Sequence, residues 1–149
     1  MDFIPVNTIK LKPIEKKYVN ECLSTNWISS EGKFVKLFEK NFSFFNKRKF
    51  GVTVSSGTAA LEIAIKSLNI KKNSEVLIPS FSIISTANAV IKNNLKPVLV
   101  DCDLNTWNMN PEKTIKKITK KTKLIIITHI YGLPVDMDQI LKVAKKKKY

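Results

Sequence analysis

Phe50-Gly51-Val52-Thr53-Val54-Ser55-Ser56-Gly57-Thr58-Ala59-Ala60-Leu61 is the stretch that decides the fold. Residues 50–54 are short, apolar and β-branched, which predicts a strand. From 58 to 68, Leu61, Ala64, Ile65 and Leu68 recur at helical spacing. A strand that passes through Ser-Ser-Gly into a helix leaves the helix's first N–H groups and the positive end of its dipole at the junction. Gly57 lets the backbone approach an anion closely, and Ser56 and Thr58 add hydroxyl donors. The same residue types are favoured as plain helix caps. By itself the junction therefore reads either as a phosphate-type anion site or as a cap. It has neither the Gly-Lys-Ser/Thr of a nucleotide-phosphate loop nor the three glycines of a dinucleotide fingerprint.

Outward from this junction the pattern repeats. Strands are predicted over 75–79, 97–101 and 123–128, the last apolar enough to be buried on both faces. Helices are predicted over 85–93, over 111–119 with Pro111 in its first turn, and over 136–147. Four alternations of strand and helix imply an α/β fold with a mainly parallel sheet and helices on both faces. The last helix would feed a further strand, so the chain reads as part of a larger unit. Residues 1–49 differ. Two helices are expected, over 12–24 and 32–45, the second carrying Val35, Phe38, Phe42 and Phe45 as an apolar stripe. Between them lies a polar loop with one large aromatic, Trp27. No repeat or low-complexity linker marks a domain boundary.

Few other residues suggest chemistry. Asp101 and Asp103 flank Cys102 after a strand, where paired carboxylates suit a cation, but no third ligand lies nearby and a strand-ending turn is the better reading. His129, the only histidine, follows the fourth strand, where α/β sheets bind ligands; a purely structural role fits the sequence equally. Cys22 and Cys102 are too few for a disulfide framework or a metal cluster.

The formal net charge of +14 raises nucleic-acid binding. Among 26 basic residues, however, Arg48 is the only arginine, and arginine is the residue that reads guanine edges and stacks on bases. The lysines are spread along helix-like segments, and Lys145 to Lys148 read as a solvated helix end that suits the dipole. Neither nucleic acid nor membrane is expected as a partner. No apolar run approaches the ~20 residues of a membrane span, and the first residues lack a secretory pattern, so the expected location is the cytoplasm.

Taken in order, several stretches resemble the DegT/DnrJ/StrS family of nucleotide-sugar aminotransferases. They are Asn26-Trp27-Ile28-Ser29-Ser30-Glu31-Gly32, Phe38-Glu39, Val54-Ser55-Ser56-Gly57-Thr58-Ala59-Ala60-Leu61 and Glu75-Val76-Leu77-Ile78-Pro79-Ser80-Phe81-Ser82. Thr86-Ala87-Asn88-Ala89, Lys96-Pro97-Val98-Leu99-Val100-Asp101 and His129-Ile130-Tyr131-Gly132-Leu133-Pro134-Val135-Asp136-Met137-Asp138 follow. The Thr106-Trp107-Asn108-Met109 stretch resembles members that make amino sugars for surface polysaccharides, such as perosamine synthases.

The resemblance implies the fold-type-I architecture of pyridoxal-phosphate enzymes, with residues 1–149 as part of the large domain (1–49 helical, 50–149 alternating). It implies that Ser56, Gly57, Thr58 and Ala59 hold the phosphate of pyridoxal 5'-phosphate, and that Ile83 covers the pyridine ring where relatives commonly place an aromatic. Phe81 is the alternative ring contact. Trp27, His129 and Tyr131 fall in the implied substrate neighbourhood. The Schiff-base lysine and the aspartate that pairs with the pyridine nitrogen are expected beyond Tyr149, so no residue here matches a catalytic one. The implied activity passes an amino group, commonly from glutamate, to a keto-sugar nucleotide, in a homodimer when full-length. Alternatives are a sugar dehydratase of the same family and a non-enzymatic remnant that binds or dimerises.

Overall fold

The computed structural model describes residues 3–5 and 7–147. The chain divides into two compact units, Met1–Thr53 and Val54–Tyr149.

In the first unit, α1 (Pro13–Ser24) starts on a proline, and the Glu15 carboxylate accepts the Lys12 N–H at 2.7 Å. The helix ends where Thr25 Oγ1 donates to the Glu21 carbonyl at 2.7 Å. α2 (Lys33–Phe45) carries the expected aromatic stripe, with Phe38 and Phe42 stacked at 5.4 Å. Tyr18 of α1 meets Phe34 of α2 at 4.8 Å, and Lys33 pairs with Glu21. Much of the stripe stays exposed, including Phe42 and Phe45.

The strand predicted over 50–54 is absent. The segment runs without a ladder partner, and Thr53 bonds instead to the Glu39 side chain of α2. A β-branched run becomes a strand only where a neighbour completes its hydrogen bonds. Among the described residues no strand lies beside this one.

The second unit is a three-stranded parallel sheet in the order β2-β1-β3, formed by β1 (Glu75–Pro79), β2 (Lys96–Val100) and β3 (Thr122–Ile125). Around it run α3 (Gly57–Ser67), α4 (Ser85–Lys92), α5 (Pro111–Lys117) and α6 (Met137–Lys147). Lys148, the end of the lysine run, lies outside the described residues.

Alternation along β1 splits the core. Val76 and Ile78 point to one face and pack with Ile65 of α3 and with Ala89 and Val90 of α4. Leu77 points to the other and packs with Val100 and Met109, against Ile118 at the end of α5. α6 lies against α5, on that second side. The sheet thus has helices on both faces, as expected for strands as apolar as β1.

β3 is shorter than the 123–128 predicted. Its ladder continues to the Ile126 N–H, which donates to the Leu77 carbonyl at 2.9 Å. The next bond would need an N–H from residue 79. Leu77 faces β3, so residue 79 does too, and it is a proline with no N–H to give. The strands therefore separate at their carboxyl ends, and residues 127–129 run on outside the ladder.

Candidate functional site

α3 and α4 each run back from the carboxyl edge of the sheet, so their N-termini lie on that edge. Ser56 caps α3 in extended conformation (φ −161°, ψ 162°), with its Oγ accepting the Ala59 N–H at 3.2 Å. The Ala60 N–H bonds to the Ser56 carbonyl at 3.0 Å, which begins the helical ladder. The N–H groups of Gly57 and Thr58 come before that ladder and remain available to an anion. A Cβ built on Gly57 would meet nothing within 4 Å, so the approach to these donors is open. Cap and anion site, the two readings of the sequence, are thus compatible: the cap uses one donor and leaves two.

The second element is a crevice between β1 and β3. After β1 the chain turns to α4 on one face; after β3 it turns to α6 on the other. Neighbouring strands whose connections part in this way form the switch point where open α/β sheets bind ligands. Here Ser82 Oγ and Thr128 Oγ1 lie 3.2 Å apart, joining the two strand exits. Ile83, beside Ser82, is 69% exposed and free to cover a ligand. Phe81 leans on Trp107 instead, ring centroids 5.3 Å apart and tilted by 53°.

His129 follows Thr128. Its Nδ1 accepts the Val135 N–H at 3.0 Å, and the side chain is otherwise exposed. The loop between them contains a short turn, Ile130–Gly132, with Tyr131 at φ 49° and Gly132 at φ 85°. Tyr131 stands out into solvent and, with Phe81, Trp107, Ile130 and Leu133, lines a cavity of about 460 Å³. Trp107 is also left-handed, at φ 59°, an uncommon state for a bulky residue.

The acidic pair near Cys102 is occupied locally. Asp101 accepts Lys113 Nζ at 2.5 Å, and that hydrogen bond, followed by the Cys102 N–H, lowers its pKa. Asp103 Oδ1 accepts the N–H groups of Thr106 and Asn105, both at 3.0 Å, which lower its pKa likewise. Among the described residues no group of three His, Cys, Asp or Glu side chains is placed to hold a metal.

The family model of the DegT/DnrJ/EryC1/StrS aminotransferases matches residues 10–149. The chain belongs to this family. A GDP-perosamine synthase of Escherichia coli O157:H7 is 42% identical over 147 residues, covering 99% of the chain and 40% of the relative. Among solved structures, a sugar aminotransferase of Streptococcus pneumoniae in its PMP form superposes with TM-score 0.87 at 28% identity, over 97% of this chain and 36% of that one. The E. coli GDP-4-keto-6-deoxy-D-mannose-3-dehydratase with bound hydrated PLP also reaches 0.87 at 28% identity, over 95% and 38%. The DegT/DnrJ/EryC1/StrS chain thus spans about 40% of the length of the relatives it matches.

Pyridoxal phosphate, or its amino form, is the cofactor that accompanies this fold. The cradle at Ser56 to Ala59 fits a phosphate, having two free N–H donors, hydroxyls on Ser56 and Thr58, and no side chain over Gly57. The structure brings Ile83, His129 and Tyr131 to the carboxyl edge of one sheet. Trp27 belongs to the first unit, where its ring packs on Gly32. Sequence reasoning passed over Thr128, which nothing in its neighbours marks, and Asn108, whose role depends on a loop more than twenty residues away.

Proposed function

We propose that this chain supplies the phosphate-binding half of the site of a pyridoxal-phosphate-dependent aminotransferase. That enzyme would transfer an amino group, drawn from glutamate, to a keto-sugar nucleotide for amino-sugar or surface-polysaccharide synthesis in the cytoplasm. The observation that carries the reading is the open α3 N-terminus at Gly57 and Thr58, in a family whose solved members bind this cofactor. When bound, the cofactor supplies an electron sink for cleavage next to the amino group.

The chain's own residues bind and orient. The N–H groups of Gly57 and Thr58 and the Thr58 hydroxyl take the phosphate, and Ser56 and Ala59 fix the first turn from which those donors project. Ile83 excludes water from one ring face. Trp27, His129 and Tyr131 are assigned to the substrate neighbourhood, and the full-length protein is read as a homodimer. The 149 residues by themselves bring no lysine matching the family's cofactor-bonding one, so they are expected to bind cofactor without transaminating.

Amide NMR of the chain tests this. Pyridoxal 5'-phosphate and inorganic phosphate should both shift the Gly57 and Thr58 signals, whereas pyridoxal without phosphate should not. Unchanged signals at saturating cofactor would refute the cradle. Conversion of glutamate to its keto acid faster than with free cofactor would refute the expected lack of transamination.

A dehydratase of the same family is the second reading. It is favoured by the dehydratase structure, which superposes as well as the aminotransferase does.

A further inference from the structure

Asn108 is buried, 4% exposed, yet every polar group of its side chain is used. Its Oδ1 accepts the Ile130 N–H at 3.0 Å. Its Nδ2 donates to the Leu133 carbonyl at 2.9 Å and approaches the Pro134 carbonyl at 3.4 Å. One side chain thus ties both ends of the loop that starts at His129. The residue is itself anchored, since its carbonyl accepts the Asp103 N–H at 2.9 Å and its N–H reaches Thr106 Oγ1 at 3.3 Å. The left-handed Tyr131 between the two tied ends is the kind of backbone state that persists only where surroundings over-determine it.

The consequence falls on His129. Closing the loop brings the Val135 N–H to its Nδ1 at 3.0 Å. A nitrogen that accepts a hydrogen bond carries no proton, so the neutral ring must hold its proton on Nε2. Nε2 is the nitrogen left for a ligand, because Nδ1 is occupied and the side chain is otherwise exposed, one residue after the Thr128 that closes the crevice against Ser82.

We propose that Asn108 is a positioning residue that locks His129 as a one-tautomer Nε2–H donor, directed at an oxygen acceptor of a ligand seated in the switch-point crevice. In this arrangement neutral His129 gives a hydrogen bond and is not a general base, since its only lone pair is spent on Val135. The tautomer stands on this geometry alone; the donor role rests on the cofactor reading above.

His129 is the only histidine, so a sample with ¹⁵N-labelled histidine reports it without assignment. At a pH where the ring is neutral, the two-bond ¹⁵N–¹H spectrum should give the Nε2–H pattern. A protonated Nδ1, or a freely averaging ring, would overturn the lock. Asn108→Ala should turn the fixed pattern into an averaged one in a protein whose circular dichroism remains native. If that variant fails to fold, Asn108→Asp keeps the acceptor for Ile130 and loses both Nδ2 contacts, and it should average partly; a wild-type pattern there would equally overturn the role of Asn108. Saturating pyridoxal 5'-phosphate should then shift the Nε2 signal. Shifts at Gly57 and Thr58 with Nε2 unmoved would defeat the donor role alone, whereas no shift at Gly57 or Thr58 would defeat the cofactor reading instead.

Discussion

Glu39 gathers both donors of Thr53 on one carboxylate oxygen, the N–H at 2.8 Å and Oγ1 at 2.5 Å. The Thr53 hydroxyl, then its N–H, and then the Lys36 charge hold the Glu39 carboxyl below its ordinary value. An unfolded glutamate titrates at about 4.3. With the folded value depressed, the contribution to stability is full above the unfolded value and is lost as pH falls through the folded one. Glu39→Gln should therefore lower the melting temperature most near neutral pH, with the gap to wild type narrowing in acid. Thermal melts across that range check it, and a gap that stays constant with pH would contradict the charge-based account.

Two glycines should respond to alanine in opposite ways. A Cβ on Gly51 would sit 2.6 Å from the Glu39 carbonyl oxygen, a backbone atom that cannot rotate aside. Gly51→Ala should cost about 1–3 kcal/mol, as overpacking does. A Cβ on Gly57 meets nothing in the chain, and Gly57→Ala should leave stability unchanged or raise it by about 0.4–1 kcal/mol. On the cofactor reading, the same change should weaken phosphate binding. Urea denaturation with phosphate titration separates the two effects.

Leu77 and Leu99 both sit in apolar runs, yet Leu77 is fully buried between helical layers and Leu99 is 54% exposed. Leu77→Ala should cost about 2–5 kcal/mol by removing core volume. Leu99→Ala should stay within about 0.5 kcal/mol of wild type. Equal losses in chemical denaturation would mean that Leu99 is covered in solution.

The Ser82–Thr128 contact joins the two strands beyond the point where Pro79 ends their ladder. Thr128→Val keeps shape and removes the hydroxyl, at a cost of about 0.5–1.5 kcal/mol. Amide exchange should quicken locally at Ile127 and Thr128 and not in β2. Uniformly faster exchange would indicate global destabilisation instead.

Local patterns were enough to read most elements from the sequence. The apolar runs at 75–79 and 97–101, the proline at 111 and the Ser-Ser-Gly-Thr junction each fix a backbone state through nearest neighbours, and β1, β2, α5 and the start of α3 fall where those patterns put them. Where the sequence was misread, partners remote in the chain decide. Residues 50–54 have strand composition, but Glu39 takes the Thr53 donors and, among the described residues, no strand runs alongside. β3 stops early because a proline on its neighbour lacks an N–H. The same holds for the site. The α3 start at Ser56 could be read from sequence because a cap fixes it locally. The state of His129 could not, because it is set by Val135 and Asn108, brought together by folding. Sequence alone determined most of the elements and the capped helix start at Ser56, whose physics is local. Only the tertiary structure decided the crevice, the strand limits and the histidine tautomer, because each depends on a hydrogen bond between distant residues.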